Sequence, residues 1–136
     1  MSSNWVKDIS DMQDKFGVRE WVLDPANKDK LLEFLRFRMD FLTEEYQETI
    51  GAFKIADAEE LIDGHIDICV IAIGTLLAFD VDIEKAWNAV HEANMAKEVG
   101  VKKERPNPLG LPDLSKPKGW KNPSHDGNHG NLTNNI

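Results

Sequence analysis

Apolar residues recur at three- and four-residue spacing through four segments bounded by glycine or proline, and no stretch alternates in the manner of a strand. That pattern predicts an all-α fold. A first helix over 4–16 places Trp5, Ile9, Met12 and Phe16 on one face, with Gly17 as its stop. A second, over 27–51, opens after Pro25 with Asn27 as its cap and carries Leu31, Leu35 and Leu42 before Gly51. The third, 57–79, starts at the Asp57 cap and is apolar on nearly every side after Asp67, which makes it the expected central and most buried helix. A fourth, over 82–98, lines up Ile83, Trp87, Val90 and Asn94 ahead of Gly100.

Beyond Gly100 the pattern stops. Lys102, Lys103, Arg105, Lys116, Lys118 and Lys121 share the stretch 101–123 with Pro106, Pro108, Pro112, Pro117 and Pro123, which forbids a long helix and predicts an extended basic arm. The end, 124–136, is rich in Gly, Asn and His without apolar mass and is expected to be disordered. His125 and His129 there could bind a metal, but an isolated histidine pair in such a tail usually has no metal role. One all-α domain over 1–123 is the expected organisation of this 136-residue chain.

Charge narrows the partners. A formal net charge of -8 argues against nonspecific nucleic-acid binding and favours a cation as guest. The lone cysteine, Cys69, sits in an apolar run, reads as a small buried hydrophobe and can form no disulfide within the chain. The start, MSSNWVKDIS, lacks the marks of a signal peptide, and the longest apolar run, 66–79, carries Asp67 and is shorter than a bilayer span. A cytoplasmic protein without membrane contact is expected.

The carboxylates carry the chemistry. Glu45 and Glu48 are neighbours on one helical face, and Glu60, Asp63 and Asp67 fall at i, i+3 and i+7 on the next helix. Leu42 lies one turn before Glu45, so the stripe points where the core is expected, and Asp67 is flanked by Ile66 and Ile68. Carboxylates facing one another inside a bundle lose hydration and repel unless a cation compensates. Oxygen ligands select Mg²⁺ or Mn²⁺, and Mg²⁺ binds through a few carboxylates plus substrate phosphates. Two solvent-facing alternatives stay open: Glu60 sits three residues after Asp57 and can close a capping box, and Glu44 and Glu59 can face water. A di-iron centre is disfavoured because no histidine follows a glutamate by three.

Five blocks in order, EEYQE from Glu44 to Glu48, ELIDGHID ending at Asp67, IAIGTLLAFDVD, NMAK from Asn94 to Lys97 and KPKGW from Lys116 to Trp120, resemble the all-α nucleoside triphosphate pyrophosphohydrolases. More narrowly, they resemble MazG-like and phosphoribosyl-ATP-pyrophosphohydrolase-like proteins of the phage-encoded type, over about residues 30–123. The resemblance implies a four-helix MazG-like bundle, oligomeric, with an extended C-terminal arm. It implies that Mg²⁺, for which Mn²⁺ can substitute, bridges a triphosphate while water attacks the α-phosphorus, releasing a nucleoside monophosphate and pyrophosphate.

Carried over by position, the first block is Glu44, Glu45 and Glu48. The second departs from the family, because Gly64 stands three before Asp67 where many relatives have glutamate, and the acids lie at Glu60 and Asp63 instead. Glu45, Glu48, Asp63 and Asp67 are the implied inner metal ligands, with Glu60 either a further ligand or the cap. Glu44 or Glu45 is the implied base. Asn94 and Lys97 match the family's N-x-x-K and would meet phosphate or sugar. Lys116, Lys118 and Trp120 would close the basic arm over the site, or Trp120 would only anchor that arm. The implied substrate is a (deoxy)nucleoside triphosphate, dUTP or dGTP among the candidates, with phosphoribosyl-ATP hydrolysis or a noncatalytic helical oligomer holding a structural cation as alternatives. A homodimer or homotetramer is expected.

Overall fold

Asn4 accepts the Lys7 N–H at 3.0 Å and so opens α1 (Trp5–Lys15). The computed structural model describes residues 4–102, 104, 109 and 113–136; the expected arm residues Lys103, Arg105, Pro106, Pro108 and Pro112 lie outside the described residues. Gly17, at φ +72°, turns the chain into α2 (Val18–Leu23), a helix that periodicity over so short a span does not announce. A 3₁₀ segment, Pro25–Lys30, follows under an Asp24 cap that accepts the Ala26 N–H at 2.9 Å. Asn27, expected as the cap, is instead buried and donates its amide to the Trp21 carbonyl at 3.0 Å.

The long helix α3 (Leu31–Lys54) runs past Gly51, beside which a side chain would meet nothing within 4 Å. Its stop is a Schellman turn two residues further on. Asp57 N–H reaches the Ala52 carbonyl at 3.0 Å and Ala56 N–H the Phe53 carbonyl at 3.2 Å, with Ala56 at φ +56° in the place glycine usually takes. Asp57 then accepts the Glu60 N–H at 3.2 Å and starts α4 (Ala58–Ala78). The same device ends α4, where Val81 N–H reaches Leu76, Asp80 N–H reaches Leu77 and Asp80 sits at φ +61°. α5 (Ile83–Met95) follows, and a short antiparallel pair, β1 (Glu98–Gly100) with β2 (Asp113–Ser115), sets Val99 opposite Leu114. The chain is thus mostly helical, in agreement with the all-α expectation.

The described residues fall into two compact units, one up to Ile83 together with His129–Ile136 and the other Glu84–Asn128. In the first, Val22, Leu31, Ala78 and Phe79 form the core, with Val18, Phe34, Leu35 and Leu132 packed on it. Phe79 has no exposed surface, and its ring lies 5.9 Å from that of Phe34. Polar clamps join the helices: Arg38 donates to the Thr75 hydroxyl at 3.0 Å and to the Ile71 carbonyl at 3.1 Å, and the buried Gln13 amide donates to the Gly74 carbonyl. Burial lowers the Arg38 guanidinium pKa from its ordinary value.

Three expectations about burial change. On α1 the buried positions are Ile9 and Gln13, whereas Trp5 and Phe16 are more than 60% exposed; the covered face is the one from which Gln13 donates to the Gly74 carbonyl, and it shares only Ile9 with the apolar stripe. α4 is not the most buried helix: Ile71, Gly74, Thr75 and Ala78 are covered, but Ile62 and Ile66 are exposed, and so is Cys69, since α1 and α3 cover only part of its circumference. At 21 residues α4 is long and apolar enough to cross a membrane by length and composition alone, yet Asp63 and Asp67 lie along it and the Arg38 and Gln13 clamps hold it against α3 and α1. Residues 124–136, expected without structure, contain a docked stretch. Asn131 N–H donates to the Phe79 carbonyl at 2.7 Å and Leu132 packs on the core, so a helix-end carbonyl and one leucine supply the holding contacts.

Candidate active site

Two contacts establish how α3 and α4 run past one another. Arg38 lies opposite Ile71 and Thr75, and Thr49, eleven residues later on α3, lies opposite Gly64, earlier on α4. The helices are therefore antiparallel. One turn from the Thr49 and Gly64 contact, α3 presents Glu45 and α4 presents Asp67.

Glu45 is half-buried, and Glu44, Glu48, Glu60, Asp63 and Asp67 are exposed. The expectation that the acidic stripe enters the core holds only for the partial cover over Glu45. Burial raises the Glu45 carboxyl pKa above its ordinary value, and the charges of Asp67, Glu48 and Glu44, in that order, push the same way. The strongest charge on Glu45 thus comes from the opposite helix rather than from its own. Glu60 lies at the far end of this face, where its backbone N–H is the group that Asp57 caps; the Asp57 N–H goes to Ala52, so the reciprocal half of a capping box is taken by another partner.

Among the described residues, no group of three or more His, Cys, Asp or Glu side chains converges closely enough to hold a metal ion unaided. The donor chemistry nevertheless fits a hard dication: the candidate ligands are all carboxylates, and Glu45 opposite Asp67 is an arrangement whose repulsion such an ion would relieve. Beside the Glu45 turn lies an open hollow of about 320 Å³ lined by Leu42, Thr43, Tyr46 and Ile68.

Asn94, Lys97, Lys116, Lys118 and Trp120 belong to the second unit. Trp120 donates its indole N–H to the Ala93 carbonyl at 2.7 Å, which pins the segment after β2 to the end of α5. Its ring carries two ammonium groups, Lys116 at 4.7 Å and Lys97 at 5.6 Å from the centroid. Lys97 also donates to the Asn94 side-chain oxygen at 2.9 Å. Lys118 sits exposed in the turn that Trp120 N–H closes on the Pro117 carbonyl, with Gly119 at φ +83° as that turn requires. Four of the five residues thus form one basic constellation, and Lys118 occupies the adjoining turn.

Two residues of the first unit escaped the sequence argument. Thr49 is buried between the helices and donates its hydroxyl to the Glu45 carbonyl at 2.7 Å. Gly64, noted in the sequence only as a missing acid, is buried against it. The available signal was an isolated glycine inside an apolar helix one turn from an aspartate, a placement that usually reflects close packing.

The family model of phosphoribosyl-ATP pyrophosphohydrolase matches residues 22–94, a span that holds α3, α4 and nearly all of α5. Comparison with curated proteins and with solved structures gives no significant match. The matched span covers more than half of the chain and contains the opposed carboxylates of α3 and α4, so this chain belongs to the phosphoribosyl-ATP pyrophosphohydrolase family, all-helical hydrolases of nucleotide phosphoric anhydrides.

Proposed function

We propose that the chain hydrolyses a (deoxy)nucleoside triphosphate to the monophosphate and pyrophosphate with Mg²⁺, or Mn²⁺ in its place. The observation that carries this reading is Glu45 set against Asp67 across two antiparallel helices, with Glu44 and Glu48 beside it. Glu45, Glu48, Asp63 and Asp67 would hold the cation, and Glu60, tied to the cap, is the more remote candidate. The chemistry a hard dication supplies there is neutralisation of polyphosphate charge and a lower pKa for an attacking water. Glu45, whose carboxyl holds its proton more tightly than an ordinary carboxylate, suits the role of general base; Glu44 is the alternative. Lys97, Lys116 and Lys118 would contact phosphate oxygens, with Asn94 orienting Lys97 and Trp120 holding the arm. The family match favours a second reading, phosphoribosyl-ATP as substrate.

The test is release of monophosphate from a panel of triphosphates and phosphoribosyl-ATP with Mn²⁺ or Mg²⁺. Turnover is expected to vanish in Glu48→Gln with helical content retained, and Lys97→Ala is expected to raise KM. Metal-binding protein that releases product from no member of the panel defeats the reading in favour of a structural cation site.

A further inference from the structure

We propose that Thr49 and Gly64 are positioning residues: their contact at the α3–α4 crossing sets the spacing of Glu45 and Asp67, one turn away on either helix, and through it the affinity of that pair for a divalent cation. The inference rests on the cation-binding reading above and adds the part of the fold that tunes it.

A methyl group at Gly64 would lie 2.1 Å from the Thr49 hydroxyl oxygen, 3.1 Å from its Cβ and 3.4 Å from its Cα. The first of these contacts is impossible and the second is tight. Rotating the hydroxyl away relieves only the first, and the hydroxyl is already committed to the Glu45 carbonyl at 2.7 Å. Any side chain at 64 therefore forces the helices apart or breaks that bond. Because the helices are antiparallel, Glu45, four residues before Thr49, and Asp67, three after Gly64, lie on the same side of the crossing. Widening at the crossing is thus transmitted to the carboxylate pair. The threonine bond acts on the same turn, since a side chain that binds the carbonyl four residues back bends a helix locally. The close approach also accounts for the departure noted in the sequence: a glutamate at 64 has no room here, and the acid stands next door at Asp63, which is exposed.

The experiment is a double-mutant cycle on the full chain, with Mn²⁺ affinity read by electron paramagnetic resonance and the melting midpoint read on metal-free protein. Gly64→Ala is expected to weaken Mn²⁺ binding by about tenfold, the range found when groups that orient metal ligands are lost. Thr49→Ala in the same chain removes the obstructing hydroxyl and, although the 3.1 Å contact to Cβ stays and the bond to the Glu45 carbonyl is lost, is expected to recover at least about threefold of the affinity that Gly64→Ala loses. In turnover, the Gly64→Ala loss should appear at subsaturating metal and be recovered by excess Mn²⁺. A Gly64→Ala protein that melts earlier but binds Mn²⁺ as wild type does overturns the inference and leaves the hydrolase reading intact. Failure of the double variant to recover affinity overturns it as well. Wild-type protein that binds no Mn²⁺ defeats the functional reading and the cation part of the inference together, and the midpoints of the cycle then judge the steric contact alone.

Discussion

Gly130→Ala offers a sharp test of the docked C-terminal segment. Gly130 has φ +52°, and a Cβ there would sit 1.9 Å from the Phe79 carbonyl oxygen, 2.8 Å from the Asp80 carbonyl carbon and 2.9 Å from its oxygen. All three are backbone atoms at the end of α4, so no rotamer change makes room. The segment must lift by more than an ångström, which breaks the 2.7 Å bond from Asn131 N–H to Phe79. That bond is worth about 0.5–1.5 kcal/mol net. Loosening Leu132 from the Val22, Leu31, Ala78 and Phe79 cluster costs about 1 kcal/mol more for a half-buried side chain, and left-handed backbone at alanine adds roughly 1 kcal/mol. These contributions would add to about 2.5–3.5 kcal/mol, but the chain escapes the strain by detaching, so the loss is capped at the roughly 1.5–2.5 kcal/mol that the bond and Leu132 give the docked segment. At about 4 °C per kcal/mol for a chain of this size, the midpoint falls by roughly 6–10 °C. Truncation after Asn128 should give the same loss, and Gly119→Ala, at φ +83° with nothing within 4 Å, only the backbone contribution. Circular dichroism melts of the four proteins decide it. Gly130→Ala or the truncation melting with wild type refutes the docking.

Glu45→Gln should raise the melting midpoint of metal-free protein at pH 7 while abolishing Mn²⁺ binding. The sign follows from the raised Glu45 pKa: the folded state favours the protonated form, so the stabilising contribution is complete below the ordinary carboxylate pKa and is lost as pH rises through the folded value. The part of the gain that comes from the charges of Asp67, Glu48 and Glu44 should shrink in high salt, the part that comes from burial should not, and the whole should disappear at acid pH; a lower midpoint at pH 7 contradicts the raised pKa. Exposed Met39, Tyr46, Phe53, Ile62 and Ile66 leave apolar surface on α3 and α4, from which we expect a homodimer or homotetramer; a monomeric mass by light scattering at micromolar concentration would count against it.

Helix identity was readable where local chemistry marks it. Asp57 caps the α4 that periodicity expects, and the observed Ala58–Ala78 lies within one residue of 57–79 at each end. The α3 end was hidden because its stop uses Ala56, and α4 likewise closes on Asp80; both are residues in a left-handed conformation that glycine usually takes. α2 is a single short helix with too few residues to show a period. The docking of 129–136 depends on the Phe79 backbone carbonyl, which no side-chain pattern reports. At the site, spacing correctly puts Glu45 and Glu48 on one face and Asp63 and Asp67 on another. It does not say which faces neighbours will cover, and that is why Cys69 and most of the acids are more exposed than expected.

That exposure changes the physical case for a cation. Fully buried carboxylates would demand one, since several uncompensated charges in a core cost more than a small domain can absorb. Exposed carboxylates make no such demand, because water screens each of them. What survives is narrower and local: one half-buried glutamate whose strongest opposing charge lies on another helix, held there by a glycine contact that admits no side chain. A pair of this kind is weak as a metal site by itself, and hard dications of the Mg²⁺ type ordinarily complete their coordination with water and substrate phosphates. An open acidic face therefore suits a cation that is shared with a polyphosphate better than one locked into the fold as a permanent structural ion.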